Sequence, residues 1–166
     1  MLGELEATNI QQHWSEVVEA YSAIRLRQMA GTIGSMESGF PHAVSKLADV
    51  AYCMLVFMAF STLELFLEER ESAIGLTDKE KSQGLKKLIG ESTKAKNGCE
   101  PLEWSDRALV DIGRELRDQL AHNHLTEERN VTLTYVKAVQ DELAGWLDGL
   151  ELIDFGPHGE LKRWKI

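Results

Sequence analysis

The residues best suited to chemistry in this chain lie in one short stretch, Arg114-Glu115-Leu116-Arg117-Asp118-Gln119-Leu120-Ala121-His122-Asn123-His124. It combines side chains that suit work on a phosphodiester. An imidazole, which titrates near neutrality, can take a proton from a ribose 2′-hydroxyl or give one to a leaving oxygen. A guanidinium offers a planar fork of donors to the charged oxygens around phosphorus. Leu109, Ile112, Gly113, Leu116 and Leu120 recur at helical spacing, so the stretch reads as the second half of a helix with a narrow core-facing stripe. Arg117 and His122 flank that stripe. Five residues at about 100° each set them roughly 140° apart around the axis, so they do not meet on one regular helix. They converge if the helix ends near His122, or if a second copy packs across a two-fold axis, where the same patch meets itself. Asp118 lies four residues before His122 and four after Arg114, so both compete for its carboxylate. His122 and His124 invite a metal reading, but residues two apart on a helix point nearly opposite ways. No cysteine or carboxylate cluster completes a zinc site beside them, so neither metal nor cofactor is expected.

Arg117-Asp118-Gln119-Leu120-Ala121-His122 resembles the R-x-x-x-x-H signature of the HEPN superfamily, in which the residue after the Arg is often small and polar. Leu116 before the Arg and Leu120-Ala121 before the His fit as well. The resemblance implies a compact helical bundle, often dimeric. In many members it implies metal-independent ribonuclease activity, in prokaryotic toxin–antitoxin, abortive-infection and CRISPR systems. It implies that Arg117 and His122 are catalytic and that Asp118 supports them. HEPN helices often carry a polar residue facing the motif helix, and Glu64, in the apolar run Phe60–Leu67, has that setting. On this reading Glu64 orients Arg117 or Arg114. On the other, it is a solvated carboxylate continuous with Glu68 and Glu71. In members paired with a nucleotidyltransferase antitoxin the motif continues as H-x-Tyr, and the Tyr is modified; here His124 stands in its place. The expected function is endoribonucleolytic cleavage of RNA by a homodimer formed through the motif-bearing helices, with an antitoxin protein as a candidate partner. The competing class is a HEPN-like module without catalysis that binds RNA, a nucleotide or a partner protein.

The elements that must position these residues read as an all-α bundle of about five helices. Thr8-Asn9-Ile10-Gln11 has the form of a capping box, and Ile10, Trp14, Val17, Val18, Tyr21 and Ile24 follow at helical spacing to about Ala30. Gly31 to Pro41, with Gly34, Ser35, Ser38 and Gly39, reads as a loop. A second helix from Pro41 to about Glu71 holds the unbroken apolar run Val50–Phe60. Asp49 and Glu64 bracket that run short of the roughly 20 residues a bilayer needs, so a central buried helix is expected and a membrane span is not. Thr77-Asp78-Lys79-Glu80 is another capping box, opening a third helix to about Ile89. Lys79, Lys81, Lys86, Lys87, Lys94 and Lys96 make this region locally basic, either as an RNA-backbone contact or as a solvated face. Asn97-Gly98 marks a turn before Ser105, which reads as the cap of the motif helix. Thr126 reads as the cap of a last helix with Val136, Val139, Leu143, Trp146 and Leu147 on its buried stripe. The segments either side of Gly156-Pro157-His158-Gly159 form a small hairpin or an extended tail with a basic, aromatic tip at Lys162–Lys165.

A chain of 166 residues reads as a single domain, 1–166, with enough length to bury a real core. The net charge of −9 argues against generic adhesion to nucleic acid, though not against a local RNA site. Cys53 and Cys99 sit in different segments and suit reduced thiols rather than a disulfide framework. No basic, cleavable leader is evident, so a cytoplasmic location is expected.

Overall fold

The computed structural model describes residues 2–38, 41–75, 84–123, 127–156 and 161–164, with side chains outside 31–46 and 123. Among these residues the chain forms five helices and no named strand: α1 (Glu4–Ser38), α2 (Pro41–Ala73), α3 (Leu85–Ser92), α4 (Arg107–Asn123) and α5 (Arg129–Trp146). The expected all-α bundle is what forms.

Two long helices make its frame. His13 Nδ1 lies 3.2 Å from Thr62 Oγ1, and the Tyr21 and Tyr52 rings are 6.3 Å apart, so α1 and α2 run antiparallel. α5 lies beside α2 in the same direction: the Arg129 N–H donates to Asp49 Oδ1, and Phe66 stacks on Trp146. Trp14, Tyr52, Leu55, Phe60, Leu63, Tyr135 and Leu143 fill the space between them. By length and composition the segment Leu47–Ala73 could cross a bilayer, but 56% of its most apolar window is buried inside the bundle. Its burial is uneven. Leu47, Val50 and Met54, spaced three and four residues apart on one face, stay exposed, as do Leu26 and Met29 on α1.

Several boundaries differ from the sequence reading. α1 continues through Gly31 and Gly34 to Ser38, where a loop was expected. A glycine inside a helix costs only about 1 kcal/mol relative to alanine, and a helix already 27 residues long absorbs that. The box at Thr77 lies outside the described residues. A continuous third helix to Ile89 is nonetheless broken, because Gly84 has φ 80° and ψ 159° and α3 begins after it. The motif helix is capped by Asp106 rather than Ser105: Asp106 Oδ1 accepts the Leu109 N–H at 3.1 Å. Thr126 also lies outside the described residues. α5 starts at Arg129, and its first N–H is capped from α2 by Asp49 at 3.3 Å. At the end of the chain the described residues form an extended tail. The Lys162 N–H donates to the Asn130 carbonyl, the Lys162 carbonyl accepts from Thr134 Oγ1, and the Trp164 N–H donates to Tyr135 Oη.

Candidate functional site

The motif helix α4 is placed by three contacts. At its start, Glu142 of α5, 2% exposed, accepts the Ser105 and Asp106 N–H groups at 2.8 and 2.7 Å. At its middle, Gly113 lets α4 press onto α2 and α5: a Cβ there would fall 2.7 Å from both Phe60 Cζ and Tyr135 Cδ1. Along its length, Val110, Gly113, Leu116 and Leu120 are buried, with Arg114 buried beside them, while Glu115, Gln119 and His122 are exposed.

Those flanks carry a dense ionic network. Arg114 is buried, and donates to Asp111 Oδ1 at 2.9 Å and to Asp118 Oδ2 at 3.0 Å; Glu115 lies 3.7 Å away. Arg117 donates from Nη2 to Asp118 Oδ1 at 3.0 Å, and its Nη1 lies 3.9 Å from Glu64 Oε2. Asp118 therefore splits its two oxygens between two guanidiniums. Glu64 reaches Arg117 across the α2–α4 contact rather than standing apart with Glu68. Arg117 keeps 22% of its side chain exposed, enough for an anion to approach.

His122 sits in the last turn of α4, one residue before the helix ends at Asn123. Its side chain is exposed and makes no hydrogen bond or ion pair with any described residue. The expected contact with Asp118 does not form, because a carboxylate gains more from two hydrogen-bonded guanidiniums than from one exposed imidazole. His124 lies outside the described residues. The described part of α4 runs to Asn123, just past His122, and Arg117 and His122 make no hydrogen bond to one another; a second copy is the other route to convergence. Among the described residues no three His, Cys, Asp or Glu side chains cluster as ligands of one metal ion.

In the basic segment, Lys86 and Lys87 are exposed, while Lys94 and Lys96 fold onto Glu91 at 3.2 and 2.5 Å. Hydrogen bonds from Lys96, then Lys94, hold the Glu91 carboxyl below its ordinary pKa. Lys79 and Lys81 lie outside the described residues.

Three groups escaped sequence reasoning. Glu142 falls inside the apolar stripe between Val139 and Leu143, and a carboxylate in phase with the core was the available signal. Arg70 and Glu71 are 6% and 2% exposed, yet in sequence they merge with the charged run Glu68-Glu69-Arg70-Glu71, which carries no sign of burial. No protein-family model, curated protein or solved structure matches the chain.

Proposed function

We propose that this chain is a metal-independent endoribonuclease of the HEPN type, acting in a prokaryotic toxin–antitoxin or phage-defence system. One observation carries the reading. Arg117, still partly exposed, is held by Asp118 and Glu64 on the helix that, five residues on, carries His122 exposed and unengaged. A fixed guanidinium and a free imidazole are what a ribose–phosphate transesterification needs from a protein. A neutral His122 takes the proton of the 2′-hydroxyl as that oxygen attacks phosphorus. The bond from phosphorus to the 5′-oxygen breaks, and an imidazolium returns a proton to the departing oxygen. The products are a 2′,3′-cyclic phosphate and a 5′-hydroxyl. Arg117 stabilises the charge that builds on the non-bridging oxygens.

Two acid–base groups are wanted and one protomer offers one free imidazole in its motif, so a second copy is part of the proposal. The exposed apolar stripe Leu47, Val50 and Met54 supports it, because the same face of α2 continues through Ser61 to Glu64 and so to Arg117. The experiment is to incubate the full-length chain with total RNA in the presence of a chelator, beside His122→Ala and Arg117→Ala. Cleavage with cyclic-phosphate ends, reduced at least about 100-fold in both variants, is the expected result. Undiminished cleavage by a folded His122→Ala protein refutes the proposal.

A second reading has its own observation. Around Arg114 and Arg117 stand Asp111, Glu115, Asp118 and Glu64, so carboxylates outnumber guanidiniums and a phosphate must compete with them. On that reading the network braces α4 in a non-catalytic binding module. Growth arrest on overproduction that persists in His122→Ala would favour it.

A further inference from the structure

A cavity of about 450 Å³ opens where the C-terminal tail crosses the start of α5, lined by Glu127, Glu128, Val131, Lys162, Arg163 and Trp164. We propose that it binds a guanine nucleotide. The nucleotide is a neighbour of the cut phosphate in the RNA; for that source, though not for the chemistry of the cavity, the inference rests on the ribonuclease reading. The volume falls within the roughly 300–1,000 Å³ of small-molecule sites.

The tail is pinned, so its side chains are held in place. The Lys162 N–H donates to the Asn130 carbonyl at 3.2 Å, Thr134 Oγ1 donates to the Lys162 carbonyl at 2.7 Å, and the Trp164 N–H donates to Tyr135 Oη at 2.9 Å. Lys162 Nζ also meets Glu128 Oε1 at 3.2 Å. Five residues separate His122 from Glu127, and a chain spans at most about 3.6 Å per residue, so Glu127 lies within about 18 Å of His122. An RNA strand held at His122 can therefore lay a nearby nucleotide in the cavity.

The lining holds one acid and one base that do not pair. Among the described residues, the Glu127 carboxylate and the Arg163 guanidinium make no hydrogen bond or ion pair, with each other or with any other group. Yet both stand close to one hydroxyl. Burial raises the Tyr135 phenol most, while Arg163 pulls it down and Glu127 pushes it up. Two opposite charges that line one hollow and stay apart suit a ligand with donors at one end and an anion at the other. An ionised carboxylate accepts hydrogen bonds and donates none. Of the RNA bases only guanine sets two donors side by side on its Watson–Crick edge, N1–H and the N2 amine. Adenine, cytosine and uracil each place an acceptor next to their donor, which a carboxylate repels. The exposed Arg163 is a partner for phosphate, and the partly buried Trp164 offers an aromatic face on which a base can stack. On a chain that carries −9, Lys162 and Arg163 give an anionic strand a local foothold.

The test uses the full-length chain and titration calorimetry, with 5′-GMP, 5′-AMP and guanosine as probes. GMP should bind at millimolar concentration or below, AMP at least about tenfold more weakly, and guanosine at least about fivefold more weakly. Glu127→Gln should bring GMP and AMP within about twofold of each other, and Arg163→Ala should bind GMP no better than guanosine. Both side chains reach the surface without a partner, so neither substitution threatens the fold. The source of the nucleotide is read separately, by mapping the ends of cleaved total RNA. Cuts by the wild type should share a G at one fixed position, and cuts by Glu127→Gln should not. Selective GMP binding by a chain whose cuts show no fixed G makes the free nucleotide the ligand; if that chain cuts no RNA, the ribonuclease reading falls and the guanine site stands. RNA cut without a fixed G by a chain that binds no GMP overturns the guanine site and leaves the ribonuclease standing. Equal binding of GMP and AMP, or a GMP preference undiminished in Glu127→Gln, overturns it as well.

Discussion

Glu142 keeps its carboxyl group at 2% exposure because two backbone amides at the entrance to α4 donate to it. Removing one partner of such a contact leaves buried donors without acceptors, at about 1–3 kcal/mol. Glu142→Ala should therefore lower the unfolding free energy by roughly that amount or more, measured in urea, and Glu142→Gln by less, since one acceptor oxygen remains. Gly113 makes the opposite demand, for nothing at all beside its Cα. Gly113→Ala pushes a methyl to within 2.7 Å of two aromatic rings, and overpacking of this kind costs about 1–3 kcal/mol. A melting temperature unchanged in Gly113→Ala would mean that α4 does not sit this close to Phe60 and Tyr135. Arg117 and His122 behave differently at this scale. Both stand at the surface flank of α4, so their alanine variants should keep the wild-type melting temperature within a few degrees while any cleavage is lost.

At the scale of elements, the ends of helices are set by other helices as much as by local sequence. The first N–H of α5 finds its acceptor on Asp49 of α2. Asp49→Ala should destabilise the chain by about 1 kcal/mol, the usual worth of a capping carboxylate, with loss of helical signal at lower denaturant. The turn between α3 and α4 is local by contrast. Asn97 and Gly98 have φ 48° and 79°, and Lys96 and Cys99 exchange both backbone hydrogen bonds across them, the mirror-image turn that Asn-Gly favours. That turn was legible in the sequence because its chemistry resides in two adjacent residues. The ends of α1 and α4 were not. Glycine density at 31–39 pointed to a loop, but backbone hydrogen bonding carried the helix on. Ser105 and Asp106 are both good caps, and only the geometry of the chain entering α4 chose between them.

For the whole molecule, all three tyrosines are in the buried set. Burial raises the Tyr21 phenol to about 12 and pushes those of Tyr52 and Tyr135 above the ordinary value. The sign follows from linkage: a phenol harder to ionise when folded leaves stability untouched below its unfolded pKa near 10, and drains it as pH climbs from there toward 12. Tyrosinate absorbance at 295 nm should thus rise together with loss of helical circular dichroism. Ionisation near pH 10 with the helices intact would contradict the packing around Tyr21. The second whole-molecule prediction concerns assembly. If the Leu47–Met54 face joins two copies, wild type sediments as a dimer and Met54→Glu as a monomer with reduced cleavage. A wild type that stays monomeric at every concentration tested removes the second copy from the mechanism.

Sequence by itself determined the helical class, the apolar face of nearly every helix and the Asn97-Gly98 turn. These follow from periodicity and backbone preference, which act within a few residues. It also singled out Arg117 and His122 as chemically apt, by residue type. Local spacing already offered Arg114 to Asp118; tertiary structure decided what lies beyond one helix: Glu64 across to Arg117, Glu142 inside the core, and Arg70 and Glu71 buried together. The physical reason is one of range. A hydrophobic stripe is written along one helix, whereas which charged groups become buried, and which reach a neighbouring element, is settled only once the bundle closes.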